Sequence, residues 1–122
     1  MIKLPQDAKG RKATPVTTGC LDYFPDAICA VAQLSQAAND QHNPGQPMHW
    51  ARGKSMDHAD CLVRHLLQRG TLDTDGLSHT AKVAWRALAL LQIEIEEKAE
   101  AALVEEPVLN PHWRATWGDA DA

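Results

Sequence analysis

The sequence predicts an all-α fold, a small bundle of three main helices with a short terminal element. Apolar residues recur at intervals of three and four along three long stretches. No stretch alternates apolar and polar residues as a half-buried strand would. Caps, glycines and prolines stand where those helices would start and stop. The 122 residues suffice for one domain and one hydrophobic core. Three such helices make a thin core, so further copies of the chain are expected to complete it as a dimer or tetramer.

Residues 1–19 mix Lys, Arg, Pro, Thr and Gly with few apolar positions, which predicts a mobile arm or lid without regular structure. The first main helix is expected to start between Asp22 and Pro25. Proline suits a first turn, and Asp22 can accept orphan backbone N–H groups. Ile28, Val31, Leu34 and Ala38 follow at helical spacing, and the helix should stop near Asn39–His42. Asn43-Pro44-Gly45-Gln46-Pro47 reads as a turn. His49, Trp50, Arg52 and Lys54 then lie in a polar loop of the kind that holds ligands. Ser55 reads as the N-cap of the second helix, with Asp57 in its first turn. Ala59, Leu62, Val63, Leu66 and Leu67 read as its apolar face, and Arg69-Gly70 as its end. After the loop 71–76, the third helix is expected from about Leu77 to Glu106, before Pro107. Ala84, Leu88, Leu91, Ile95 and Ala102 trace its stripe, widened by Val83 and Trp85. The helical domain thus spans 20–106. The tail, 107–122, holds Trp113 and Trp117, which are expected to dock on this domain or on another subunit.

Twelve basic and 16 acidic residues give a formal net charge of −4 and no basic stripe, which argues against a nucleic-acid polymer as partner. A small anionic ligand remains compatible, because a bound metal ion can supply local positive charge. No apolar signal core opens the chain and no stretch is long enough to span a bilayer. A cytoplasmic protein without membrane contact is expected. Cys20, Cys29 and Cys61 are too widely spaced for a thiolate zinc site or a disulfide framework, and are expected to be small buried apolar residues.

The densest polar run is Asp57-His58-Ala59-Asp60, then Arg64-His65, then Asp73, Asp75 and His79. Asp57 and Asp60 are three apart on a helix, so their carboxylates share one side. Facing Asp75 and His79 at the start of the next helix, they can cage a hard divalent cation, Mg²⁺ or Mn²⁺, that holds a polyphosphate and activates a water. The plain alternative is that the aspartates complement helix dipoles and that Asp60 pairs with Arg64 on the surface. Three other motifs fail. Gly53-Lys54-Ser55 ends like a phosphate-binding loop, but Met48 stands where that loop needs glycine. No His-Asp dipeptide occurs. Glu96-Glu97-Lys98-Ala99-Glu100 has the first half of a carboxylate metal signature without its second half, and reads as a solvated helix face.

From Ala38 to Leu91 the chain resembles the phage dATP/dGTP diphosphohydrolase N-terminal-domain family, grouped with MazG-like all-α nucleotide pyrophosphohydrolases. The residues that carry this are Asn43 with His49-Trp50, Arg64-His65-Leu66, Gly70, Asp73, Gly76-Leu77, His79 and Ala84-Trp85-Arg86-Ala87-Leu88, in that order. The resemblance implies hydrolysis of a purine deoxynucleoside triphosphate, dGTP before dATP, to the monophosphate and pyrophosphate. It implies a place in the supply of 2-aminoadenine nucleotides in phages. MazG enzymes use four carboxylates, whereas the nearest equivalent here is Asp57 and Asp60 with Asp75 and His79. Asp26 and Asp40 are further candidates. In this reading Asp57, Asp60 and His79 serve catalysis, with His79 or a free carboxylate as base. Lys54, Arg64 and Arg52 face the phosphates. Trp50 stacks on the base, while Asn39, Asp40 or Asn43 bonds its edge. His65 and Asp73 complete the nucleotide-binding set. The competing reading is a non-catalytic helical module that binds a nucleotide or a protein and needs no metal.

Overall fold

The computed structural model describes residues 4–103, which form four α-helices and no strand. Regular structure begins inside the segment expected to have none. Helix α1 spans Ala8–Lys12, and its N-cap Asp7 accepts the Gly10 N–H at 3.3 Å. A π-helical turn follows at Thr17–Leu21. Both are five residues long, too short for an apolar period to betray them. Cys20 and Cys29 are exposed, contrary to the expectation of burial, and only Cys61 is buried.

Helix α2, Pro25–His42, starts and stops where the sequence places it. Pro25 occupies the first turn, and Gly45 supplies the positive φ, 77°, that the following turn needs. Leu34 is buried, with Ile28, Val31 and Ala38 half-buried beside it. Helix α3, His58–Leu67, starts later than expected. The Ser55 hydroxyl does not cap it but donates to Asp57 Oδ1 at 2.8 Å, and Asp57 itself stands at the N-cap.

The face that α3 buries also differs from the one expected. His58, Cys61 and His65 point inward, and of the expected apolar face Ala59, Val63, Leu66 and Leu67 are exposed and Leu62 half-buried: His65 is 5% exposed while Leu67, two positions on, is 77% exposed. The inward side is held by polar pairing with α4, as described below. Helix α4 runs from His79 to the end of the described segment at Leu103; the expected stop at Glu106, like Trp113 and Trp117, lies outside the described residues. Ser78 caps α4, its Oγ accepting the Ala81 N–H at 3.1 Å.

Helix α4 packs on both α2 and α3, more extensively on α3. His58 faces Arg86 and His65 faces His79, so seven residues forward along α3 are seven back along α4 and the pair is antiparallel. Trp85 Nε1 donates to Ser35 Oγ at 3.0 Å, tying α4 to α2. Trp50 meets Trp85 edge-on at 5.7 Å, and Arg52 lies over the Trp50 ring while bonding Glu96 at 2.8 Å. Glu96 is thus an anchor for the 43–57 loop. Among the described residues only Leu34, Cys61 and Ala89 are buried apolar groups, a small core for a chain of this length. No helix among them is long and apolar enough to cross a membrane.

Candidate metal centre

The turn between α3 and α4 is short and tightly bonded. Gly70 and Gly76 take φ of 81° and 80°, conformations that glycine adopts without steric cost. Asp73 N–H donates to Leu77 O at 2.8 Å, Gly76 N–H to Asp73 O at 2.9 Å, and His79 N–H to Thr71 O at 3.0 Å. These bonds fold Asp73 back over the start of α4, next to His79.

His65, Asp73 and His79 thereby offer ligand atoms within 4.8 Å of one another. His65 Nδ1 and His79 Nδ1 are 2.8 Å apart, and His79 Nε2 is 4.0 Å from Asp73 Oδ1. Both imidazoles are buried, and the carboxylate is half-buried. Two nitrogens bound at right angles to one ion, with bonds of about 2.1 Å, stand about 3.0 Å apart. The rings need part by only a few tenths of an ångström to admit one. The donor set of two imidazoles and a carboxylate suits a divalent transition ion, and Mn²⁺ better than Mg²⁺, which favours oxygen.

Lys82, one turn along α4 from His79, completes the cluster. Its Nζ donates to Asp73 Oδ2 and to Asp75 Oδ2, each at 2.7 Å. The Lys82 hydrogen bond and the Thr74 backbone N–H hold the Asp73 carboxyl far below the usual carboxylate range. Lys82 lowers Asp75 in the same way. Burial penalises the Lys82 ammonium, but its bonds to both carboxylates outweigh this and raise its pKa. Burial, then the nearby Arg64, His79 and Lys82, lower the pKa of His65 and favour the neutral ring that a metal requires.

A second polar layer lies two turns away, about 10 Å along α3. Arg86 Nη1 contacts His58 Nδ1 at 2.9 Å and Ser55 Oγ at 3.1 Å. Guanidinium only donates, so His58 Nδ1 accepts and Nε2 carries the proton. That buried Nε2 has no hydrogen-bond partner, and neither has Asn39 Oδ1, although Asn39 Nδ2 donates to Gln46 O at 2.9 Å. Burial and Arg86 push the His58 pKa down. A histidine kept neutral by the fold takes up protons on unfolding, so stability is full above its ordinary value of 6.5 and falls as pH drops below it. His65 acts in the same direction. The melting temperature is expected to be flat above pH 7 and to fall towards pH 5, with a shallower slope in His58→Gln. Equal slopes in both proteins would exclude His58 as the source.

The structure joins some of the residues singled out in the sequence and separates others. His79 and Asp75 lie at the cluster, as do His65 and Asp73, which the sequence suggested for the nucleotide. Asp57 and Asp60 are exposed, about 12 and 7 Å of helix rise from His65, and belong to no metal-type group among the described residues. The Ser55 hydrogen bond, then Cys61, lower the Asp57 pKa. Arg64 is exposed beside His65 and donates to Cys61 Sγ at 3.7 Å. Trp50 is half-buried and reaches the second layer through Trp85, which lies 6.1 Å from His58; Asn39 is buried on α2, while Asp40, Asn43 and Lys54 are exposed. Asp40 accepts from Gln36 at 3.0 Å. Lys82, His58 and Arg86 were not singled out as site residues. The signal for them was position: 79, 82 and 86 repeat at helical spacing along one side of α4.

No curated protein and no solved structure gives a significant match to the chain. The family described as dATP/dGTP diphosphohydrolase, N-terminal, matches residues 5–102 and so reaches beyond Ala38–Leu91 on both sides. Helices α1 to α3, nearly all of α4 and the whole His65–Asp73–His79 cluster lie inside that match, and the chain belongs to this family of nucleoside triphosphate hydrolases.

Proposed function

We propose that the chain hydrolyses a purine deoxynucleoside triphosphate, dGTP in preference to dATP, to the monophosphate and pyrophosphate. The observation that carries this reading is the His65, Asp73 and His79 cluster, set within the family match beside a fixed ammonium. His65, Asp73 and His79 would hold one divalent ion, Mn²⁺ or Mg²⁺. Such an ion supplies Lewis-acid polarisation of a phosphoryl oxygen and a more acidic water.

The chain's own residues do the rest. Arg64, exposed beside His65, neutralises phosphate oxygens, and Lys54, exposed on the loop before α3, is the other cation assigned to them. Asp75 keeps Lys82 in place. Base recognition falls to the side of the second layer, where Trp50 offers a half-buried ring, with Asn39 on α2 offering a carbonyl oxygen without a partner. The separation of the two layers is comparable to that between the phosphates and the base of a nucleotide. Asn39 Oδ1 accepts a hydrogen bond, which suits the N–H groups on a guanine edge. Arg52, committed to Glu96 and the Trp50 ring, positions the loop and does not bind phosphate. The product dGMP fits a supply of 2-aminoadenine nucleotides in a phage-infected cell.

The test is pyrophosphate release from each of the four dNTPs with Mn²⁺, Mg²⁺ or EDTA. Metal-dependent release from dGTP, weaker from dATP and negligible from the pyrimidines, is expected. Absence of pyrophosphate from every substrate with either metal would overturn the reading in favour of a nucleotide-binding module.

A further inference from the structure

Two-metal hydrolytic centres hold their ions about 3.5–4 Å apart and span both with shared ligands. Here the place between the carboxylates is taken. Lys82 Nζ lies 2.7 Å from Asp73 Oδ2 and 2.7 Å from Asp75 Oδ2. The other oxygen of each carboxylate accepts a backbone N–H, from Thr74 at 2.7 Å and from Leu77 at 3.0 Å. Both aspartates are therefore oriented by the turn itself, with Lys82 as their common partner. The Lys82 side chain is 17% exposed, so its ammonium is a largely enclosed charge.

We propose that Lys82 is a built-in second cation: the centre takes a single divalent ion at His65, Asp73 and His79, and the Lys82 ammonium supplies the other positive charge facing the substrate's phosphates. This rests on the reading of those three side chains as metal ligands. The charge balance supports it. Two carboxylates and one ammonium leave one net negative charge, and imidazoles that bind a metal do so as neutral rings. One divalent ion turns that balance positive, as a site for a polyphosphate needs. A second ion would have to displace the ammonium or enter a site already positive. Geometry supports it too, because one helical turn from His79 to Lys82 puts both side chains on the same side of α4, facing the turn. An ammonium has three donors, and the carboxylates use two. The third is left for a phosphate oxygen.

Titration of the full chain, Lys82→Gln and Lys82→Arg with MnCl₂, by calorimetry and by the spin-resonance signal of free Mn²⁺, tests this. Wild type and Lys82→Arg are expected to bind a single Mn²⁺ per chain. Lys82→Gln is expected to bind a second ion, or the first at least about tenfold more tightly, because a neighbouring positive charge has gone. Two ions per wild-type chain would overturn the assignment of Lys82 while leaving the metal reading in place. So would a folded Lys82→Gln that binds Mn²⁺ as wild type does or more weakly. Failure of all three proteins to bind Mn²⁺ would instead overturn the metal reading, and this assignment with it. If Lys82→Gln melts early, the wild-type stoichiometry still tests the assignment, because two ions per chain would overturn it.

Discussion

Replacing His79 by alanine is expected to abolish Mn²⁺ binding and to cut pyrophosphate release by more than about 100-fold, beyond what loss of a merely supporting residue costs. His79 meets both other members of the cluster, at 2.8 Å from His65 Nδ1 and 4.0 Å from Asp73 Oδ1. Its removal would take away one of the three candidate ligands and leave the His65 ring without its hydrogen-bond partner. His65→Ala and Asp73→Asn are expected to behave alike, and Asp73→Asn should also loosen Lys82. Asp57→Asn and Asp60→Asn serve as the contrast. Both carboxylates are exposed and stand away from the cluster, so activity is expected to stay within about threefold, as for surface changes of small energetic effect. A dead Asp57→Asn beside an active His79→Ala, both folded by circular dichroism, would return the metal site to the carboxylate pair.

The second large effect concerns assembly. Val63, Leu66 and Leu67 on α3 and Leu88, Leu91 and Ile95 on α4 are all exposed, while only three apolar residues among the described ones are buried. Burying one such side chain contributes about 1.5–3 kcal/mol, and a folded domain has only about 5–15 kcal/mol in hand. A second copy covering this surface would supply what the single chain lacks. Light scattering during size exclusion is expected to give at least twice the chain mass at micromolar concentration. The double variant Leu91→Glu, Ile95→Glu is expected to fall to a single chain or to unfold, since each carboxylate would be buried without a partner. A wild-type monomer that melts at the same temperature as the double variant would show that this apolar surface is not an interface.

How the sequence prepared for this differs from element to element. Helix α2 was legible because Ile28, Val31, Leu34 and Ala38 point where their period says, between a proline start and a glycine turn. The existence of α4 was legible in the same way, but its apolar stripe did not mark its buried face, since Leu88, Leu91, Ile95 and Ala102 are exposed and the buried positions are His79 and Ala89. On α3 the apolar period was real, but it marked the outward face, since the inner face holds His58 and His65 paired with Arg86 and His79. Local pattern and global fold disagree most at functional sites, and they do so here. Spacing along one helix favoured Asp57 with Asp60. The structure groups residues across a turn instead, and the backbone bonds that fold Asp73 onto His79 have no signature beyond Gly70 and Gly76.

The two polar layers differ in how far apart their parts lie along the chain. His65 and His79 are 14 residues apart, and Asp73 and Lys82 nine. At the other end, Trp85 reaches Ser35 across 50 residues, and Arg52 reaches Glu96 across 44. Closing the first layer needs one helical hairpin and a short loop, an event of low contact order that can come early in folding. The His58–Arg86 contact of the second layer forms within the same hairpin, but enclosing it must wait for α2 and the 43–57 loop to arrive. If the hairpin carries the chemistry and the 43–57 loop the base, as proposed, substitutions in that loop are expected to change which base is accepted while leaving the hairpin and its metal binding intact.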